Sequence, residues 1–406
     1  MDLQFKIGIL IFKCNQKCYK GWSVSMKICH VITRMIIGGA QENTLLTVKG
    51  LRERGHDVVL LTGPTEGPEG RLLDDAAREN VNVKEIPALV RNISPVKDVK
   101  AYLELLKFFR IRKFDVVHTH SSKAGFLGRL AASRAGIPVI VHTVHGQPFN
   151  AYQSRVHNFF YTQAEKVAAR RCNHIFTVAS AMIDQAVEAG IAPREKYSVV
   201  YSGMDLQPYL ELEEDEQLRE KLNIPLDVPV IGKVARLFNM KGHDFLIDIA
   251  EKVVEKQPAT RFLLVGDGNL RGELEEKVKR RGLGDNFIFT GLVAPEEIPR
   301  YLSVMNVLVH LSLREGLPRS VVQAQAAALP VVGYDLDGTP EIIDHGVSGY
   351  ICPPKSVDEV ADALYYLIEN PRHAATMGLA GRERVREQFD GENMVKQLEK
   401  EYRRLV

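Results

Sequence analysis

With 406 residues, 53 Lys and Arg against 51 Asp and Glu, and a formal net charge of +2, the chain is long enough for two domains with separate cores. That even charge balance argues against a dedicated nucleic-acid binder, and no run reaches the ~20 apolar residues of a membrane-spanning helix. Five scattered cysteines fit a reducing compartment rather than a disulfide framework. Cys14 and Cys18 are close together, but no second pair completes a metal site.

Residues 1–25 show no clear period or cap. Their apolar piece, 7–12, is shorter than the ~7–15 residues of a signal-peptide core, and no small-residue cleavage site follows. Met26-Lys27-Ile28-Cys29-His30-Val31-Ile32 reads as a fresh start running straight into a buried strand. The leader is therefore expected to be an upstream extension, with the folded protein beginning near Met26. From there, β-branched apolar runs alternate with amphipathic segments of helical length, the signature of parallel sheets with helices on both faces. Strands are expected at 27–33, 57–62, 83–86, 115–119, 139–144 and 174–178. A helix over 42–54 turns Leu45, Leu46, Val48 and Leu51 toward a core and stops at Gly55. A second, over 98–113, carries Val99, Tyr102, Leu103, Leu106 and Phe109 on a stripe expected to face the core, with Lys100, Lys107, Arg110, Arg112 and Lys113 elsewhere. Its basic face would also attract an anionic membrane surface, and the segment 152–171, with Phe159, Phe160 and Tyr161, raises the same expectation of peripheral contact.

Ser202-Gly203-Met204-Asp205 and the acidic run from Glu211 to Glu216 mark a hinge with a solvated helix start. The strand pattern then restarts at 229–234 and continues at 261–265, 287–289, 307–310 and 330–333. Residues 389–406 read as a last helix with Met394, Leu398 and Tyr402 on one face. The fold class is α/β: two Rossmann-like, doubly wound parallel-sheet domains, expected over 26–203 and 204–388, facing each other across a cleft. Ligands bind at the carboxyl ends of the strands in such sheets. Neither half holds the Gly-x-Gly-x-x-Gly fingerprint or a Gly-x4-Gly-Lys-Ser/Thr loop, which disfavours nicotinamide redox chemistry and P-loop phosphoryl transfer.

Glu315 and Gln323 flank the start of an expected helix in Arg314-Glu315-Gly316-Leu317-Pro318-Arg319-Ser320-Val321-Val322-Gln323-Ala324. Pro318 suits the first turn, where no N–H donor is needed. Free N–H groups and a partial positive charge at that helix start favour a diphosphate, while the Glu carboxylate can accept from sugar hydroxyls. Arg236 and Lys241 follow the strand at 229–234 and are spaced to clamp a diphosphate, Arg through paired donors and Lys as a point charge; a pair of surface cations is an equal reading on spacing alone. Gly38-Gly39-Ala40-Gln41 lets a backbone approach a phosphate from the opposite half.

Taken with His145-Gly146, Ser202-Gly203-Met204-Asp205, Val265-Gly266-Asp267-Gly268 and Phe289-Thr290-Gly291, these motifs come in the order seen in the family 4 (GT4) retaining glycosyltransferases, and from Met26 to the terminal helix the chain resembles that family. The resemblance implies the GT-B fold, a nucleotide sugar held mainly by the second domain, an acceptor held mainly by the first, no required metal or other cofactor, and a terminal helix that crosses back to the first domain. It implies that Arg236 and Lys241 bind the diphosphate, that Glu315 holds the sugar hydroxyls, and that Gly316 and Leu317 present backbone N–H groups nearby. The loop from Gly266 to Gly268 and the turn Thr290-Gly291-Leu292-Val293 would line the nucleotide, with Val293 near the base. Gly38 and Gly39 would approach the phosphates, and His145 would contact the donor sugar and the reacting centre. The family's second Glu, on the ribose hydroxyls, is Gln323 here, a departure that removes charge assistance of ~1–2 kcal/mol, or roughly tenfold in affinity.

His118, His120, His142 and His145 make zinc conceivable, yet the strand pleat points some of these rings into the core. His145 is expected in the cleft, His120 is a weaker second, and the others are expected to be structural. Asp335-Leu336-Asp337 looks like a manganese-binding Asp-x-Asp, but its place in the loop gives it no metal role under the resemblance; Asp337 and Gly338 are read as loop elements near the donor. The expected activity is retaining transfer of a hexose-type sugar from a UDP- or GDP-sugar to a glycan, lipid-linked or small-molecule acceptor, in the cytoplasm. The alternatives are a sugar-nucleotide-binding protein without transferase activity, motivated by Gln323, and another GT-B enzyme such as a nucleotide-sugar epimerase.

Overall fold

The computed structural model describes residues 25–65 and 70–406; apart from Ser25, the expected N-terminal extension lies outside the described residues. Apolar strands buried on both faces form two parallel sheets. The first contains β1 (Lys27–Ile32), β2 (Asp57–Thr62), β3 (Asn82–Glu85), β4 (Val116–His120), β5 (Val139–Val144), β6 (His174–Thr177) and β7 (Tyr197–Val199), in the order β3-β2-β1-β4-β5-β6-β7. The second contains β8 (Val230–Val234), β9 (Arg261–Val265), β10 (Phe287–Phe289), β11 (Val307–His310), β12 (Val331–Tyr334) and β13 (Gly349–Cys352), in the order β10-β9-β8-β11-β12-β13. Strand order reverses between β1 and β4 and again between β8 and β11, so each sheet has a crevice where those carboxyl ends diverge. Two Rossmann-like, doubly wound domains result, as the resemblance implies.

Two edge strands were not anticipated. β7 pairs with β6 through Ile175 and Tyr197, and β13 pairs with β12 through Val331 and Gly349. Both are short and partly exposed, so neither shows the continuous apolar run of an inner strand. The helix Gly39–Glu53 buries Val48 and Leu51 and leaves Leu45 and Leu46 partly buried against the same core; the chain then turns at Gly55 with φ +90°. Asp215, from the acidic run, caps the helix Glu216–Lys221 by accepting from Leu218 N at 2.9 Å.

The stripe expected on the helix Pro95–Arg112 needs correction. Its buried residues are Ala101, Leu105 and Phe109, with Tyr102 and Leu106 partly buried, whereas Val99 and Leu103 are 60 % and 54 % exposed. The buried face is rotated by about one residue, because the helix packs chiefly against the neighbouring helix Ser122–Ala135, whose Ala124, Leu127 and Ala131 share its core.

The helix Gly391–Leu405 packs on the first domain. Met394, Val395, Leu398 and Tyr402 join the core formed by β1, β2 and the Gly39–Glu53 helix, and Val395 sits against Gly50, where a Cβ would lie 2.8 Å from its Cγ2. Glu399 on the same face bonds Arg54, His56 Nε2 at 3.1 Å and Arg403 Nη2 at 2.6 Å. Burial pushes the Glu399 carboxyl up, but hydrogen bonds from Arg54, Arg403 and His56 outweigh it and hold the group at about 2. A depressed carboxylate stabilises the fold above its unfolded value and ceases to do so as pH falls through the folded one. Allowing for solvent around the two arginines, that contribution is about 1–2 kcal/mol. Urea unfolding should therefore show Glu399→Gln less stable than wild type above pH 4.5, with the gap closing between about pH 4.5 and 2. A gap independent of pH would mean that Glu399 does not act through its charge.

Candidate active site

At the carboxyl ends of β8, β9 and β10, three loops are knitted together. Ala235 N donates to Val265 O at 3.0 Å, Leu237 N to Asp267 O at 2.9 Å and Gly266 N to Gly291 O at 3.1 Å. Gly266, at φ +137°, is required here, since a Cβ would lie 2.2 Å from Ala235 O. Gly268 approaches Leu237 O in the same way, so both glycines serve backbone packing beneath Arg236. Val293, just past Gly291, is partly buried against the second domain's core, while Leu292 between them is exposed.

Arg236 lies over the Phe238 ring at 5.1 Å, and Lys241 Nζ pairs directly with Glu315 Oε1. The Lys241 and Glu315 side chains are each about one-fifth exposed, which keeps them reachable while limiting solvent screening. Burial raises the Glu315 carboxyl, but Lys241, through its charge and its hydrogen bond, outweighs it and holds the group below its ordinary value, so it is ionised at neutral pH. Glu315 N donates to Asp337 Oδ2 at 2.6 Å, and Asp337 Oδ1 accepts from Gln185 Nε2 of the first domain at 2.9 Å. Both Asp337 oxygens are thus engaged in holding the loop.

The helix is Arg319–Ala326, so Pro318 stands one residue before it rather than in its first turn. Leu317 is buried in the core shared by both domains. Gln323 donates from Nε2 to Tyr209 Oη at 2.8 Å, an orientation that leaves its amide oxygen as the acceptor.

The first domain closes over this surface. A Cβ on Gly316 would lie 2.1 Å from His145 O, and one on Gly39 would lie 2.7 Å from Arg319 Cδ. Arg319 Nη2 pairs with Glu42 Oε2 at 2.8 Å, which puts a cation beside Gly39. Sequence reasoning missed that role, although Arg319 lies inside the stretch it singled out. Arg314 bonds Gln147 O across the cleft. Glu341 accepts from Ser180 N at 2.8 Å, Ala181 N at 3.0 Å and Tyr201 Oη at 3.0 Å, which caps the first domain's helix Ala181–Glu188 with a carboxylate from the second.

His145 heads a chain of rings: its Nε2 meets His120 Nδ1 at 3.0 Å, and His120 Nε2 meets His30 Nδ1 at 2.9 Å. His118 bonds Tyr402 Oη at 2.5 Å and Thr143 Oγ1 at 2.7 Å, and His142 bonds Thr119 Oγ1 at 2.9 Å. Burial, reinforced by Arg319, lowers His145 to about 4, and burial lowers His30 to about 3 and His118, His120 and His142 well below the ordinary value, so all five rings are neutral at pH 7. Ring nitrogens of His30, His118 and His120 lie within 4.8 Å of one another, as a metal site would need. However, both nitrogens of His118 and of His120 are already hydrogen-bonded, and a metal would have to break those bonds.

The architecture is GT-B, with cations and a carboxylate at the crevice between two Rossmann-like domains. The family description "Glycosyl transferase 4-like domain" matches residues 38–203 and "Glycosyl transferases group 1" matches 214–384. Together the two span well over half of the chain, which belongs to the family 4 glycosyltransferases. The chain is 28 % identical over 379 residues to an Escherichia coli UDP-Gal:alpha-D-GlcNAc-diphosphoundecaprenol alpha-1,3-galactosyltransferase, covering 92 % of this chain and 95 % of that one. It is 29 % identical to a Streptomyces kanamyceticus 2-deoxystreptamine glucosyltransferase over 71 % of this chain and 77 % of the relative. The crystal structure of Anabaena HepE in complex with UDP superposes with a TM-score of 0.79 at 22 % identity, covering 93 % of this chain and all of that one, a likeness of fold. Among the described residues no helix is long and apolar enough to cross a membrane.

Proposed function

We propose that the protein is a retaining, metal-independent glycosyltransferase that moves a hexose-type sugar from a UDP- or GDP-sugar to a glycan, lipid-linked or small-molecule acceptor in polysaccharide or glycoconjugate synthesis. The observation carrying this reading is the Lys241–Glu315 pair, which sets a cation for a diphosphate beside an ionised acceptor for sugar hydroxyls on one wall of a closed cleft. Relatives named for UDP-Gal and aminocyclitol substrates support the donor class and leave the acceptor open.

Breaking the anomeric C–O bond places positive charge on the sugar and negative charge on the departing nucleoside diphosphate. Arg236, Lys241 and the N-terminus of the Arg319–Ala326 helix supply preorganised positive charge to the leaving group. The departing phosphate oxygen accepts the acceptor hydroxyl's proton as that oxygen bonds the anomeric carbon on the same face, which retains its configuration. Gln323 holds the ribose through its amide oxygen, oriented by Tyr209. On the first domain, a cavity of about 280 Å³ bordered by Ala40, Ser121, Ser122, His145 and Gln147 is the acceptor's entry to the reacting centre.

Screening UDP- and GDP-sugars for thermal stabilisation and for hydrolysis or transfer tests the reading. Turnover of one donor with retained configuration is expected; stabilisation without turnover, with every acceptor class tried, would make the chain a binding protein instead.

A lipid-linked acceptor would bring the first domain to a membrane. The helices Pro95–Arg112 and Arg155–Ala169 flank the helix Ser122–Ala135 and expose Val96, Val99, Leu103, Phe159 and Phe160 among Lys100, Lys107 and Arg110. Apolar side chains amid cations suit an anionic lipid surface. Flotation with anionic liposomes at low salt should carry the protein up, with neutral liposomes leaving it behind; absence of anionic binding would remove the membrane contact.

A further inference from the structure

Beneath the Lys241–Glu315 pair lies a group of buried polar side chains whose hydrogen-bonding capacity is not used. Lys233, on β8, is 2 % exposed, and among the described residues its Nζ has no hydrogen-bond partner; the buried His243 Nδ1 and His310 Nε2 have none among them either. These groups arrive from separate elements: Lys233 from the strand, Lys241 from the loop after it, His243 from the start of the helix His243–Lys256, His310 from the end of β11, and Glu315 from the following loop. On β9, the residue in register with Lys233 is the apolar Leu264. His310 Nε2 is 4.0 Å from Glu315 Oε1, and Lys233 feels the charges of both Lys241 and Glu315.

An ammonium buried without a partner is costly, so a neutral amine is the cheaper form. Burial, helped by the Lys241 charge and opposed by Glu315, brings Lys233 down to about 7. The two histidines are pushed down to about 4 and about 3, chiefly by burial, and stay neutral across the physiological range. Lys233 is therefore the member of the group able to change charge near neutral pH.

A nucleoside diphosphate changes its surroundings twice. It adds negative charge to the cleft, and it draws the Lys241 ammonium toward its phosphates, which leaves the Glu315 carboxylate without its present cation. Both changes favour a charged Lys233. We propose that Lys233 is a positioning residue of the donor site: on diphosphate binding its neutral amine takes a proton from solvent and becomes the second cationic partner of Glu315, releasing Lys241 to the diphosphate. This rests on the donor-site reading above.

Titration calorimetry of the full chain with UDP, and with GDP, in two pH 8 buffers of different ionisation enthalpy counts the protons exchanged. Net proton uptake, up to one per nucleotide, is expected at pH 8, because burial holds Lys233 far below the ordinary lysine value before the nucleotide binds. Lys233→Met should bind nucleotide with no uptake. Nucleotide binding with equal heats in both buffers would overturn the proposal, as would uptake that persists in Lys233→Met. If that variant proves unstable, Lys233→Gln decides by the same measurement at pH 8, where the nucleotide's own phosphate is already deprotonated. Failure of both nucleotides to bind would overturn the donor site itself, and this inference with it.

Discussion

Lys241→Ala should lower kcat by about 10²–10³-fold, the loss that follows removal of one preorganised charge stabiliser, about 2.7–4 kcal/mol. Its fold should survive. The Lys241 and Glu315 side chains are about one-fifth exposed, so removing one partner costs more than at the surface, up to about 3–5 kcal/mol and several degrees in Tm, which leaves a folded protein to assay. The effect should fall mainly on kcat, since the departing phosphate oxygen carries more negative charge in the transition state than in the bound donor. Initial-rate kinetics with the best donor, alongside a melting curve, measures both. Near-normal turnover in a folded variant would remove Lys241 from the leaving-group site.

Gly316→Ala should also act on catalysis, by a different route. Gly316 is not in a left-handed conformation, so alanine is tolerated by the local backbone. Its Cβ, however, would lie 2.1 Å from the carbonyl oxygen of His145 across the cleft, and neither backbone can yield without separating the domains. A displacement near 1 Å at a reacting centre can cost about 10²-fold in rate, and that loss in kcat/KM is expected here. Small-angle scattering should show a larger radius of gyration than wild type in the presence of nucleotide. Wild-type kinetics would mean that the cleft need not close this far for reaction.

The fold was legible because inner parallel strands are buried on both faces. Stretches such as Val58 to Leu61 and Val307 to Val309 show this as unbroken aliphatic runs. β7 and β13 escaped because an edge strand of three or four residues, half open to solvent, carries no such run. Periodicity gave the Pro95–Arg112 helix but misplaced its buried face, since its apolar residues cover a wide arc and only packing selects among them. In the site, Glu315, Arg236, Lys241 and His145 stood out by their place after strands. Glu341, Arg319 and His30 did not, because each acquires its partner only when distant segments meet. Lys233 looked like one polar interruption in a strand, and its isolation is visible only in three dimensions.

The last helix completes a core begun at the other end of the chain. Tyr402 supplies the hydroxyl for His118, and Met394, Val395 and Leu398 cover apolar side chains of the first domain. During synthesis, those side chains stay uncovered while the ribosome adds about two hundred further residues after β7, a wait on the order of 10–40 s at 5–20 residues per second. Meanwhile the second domain, whose core draws little on that helix, has its own sequence in hand. The nascent first domain must therefore remain soluble with one face open, and a stop codon a few turns early would leave that face permanently exposed to aggregation.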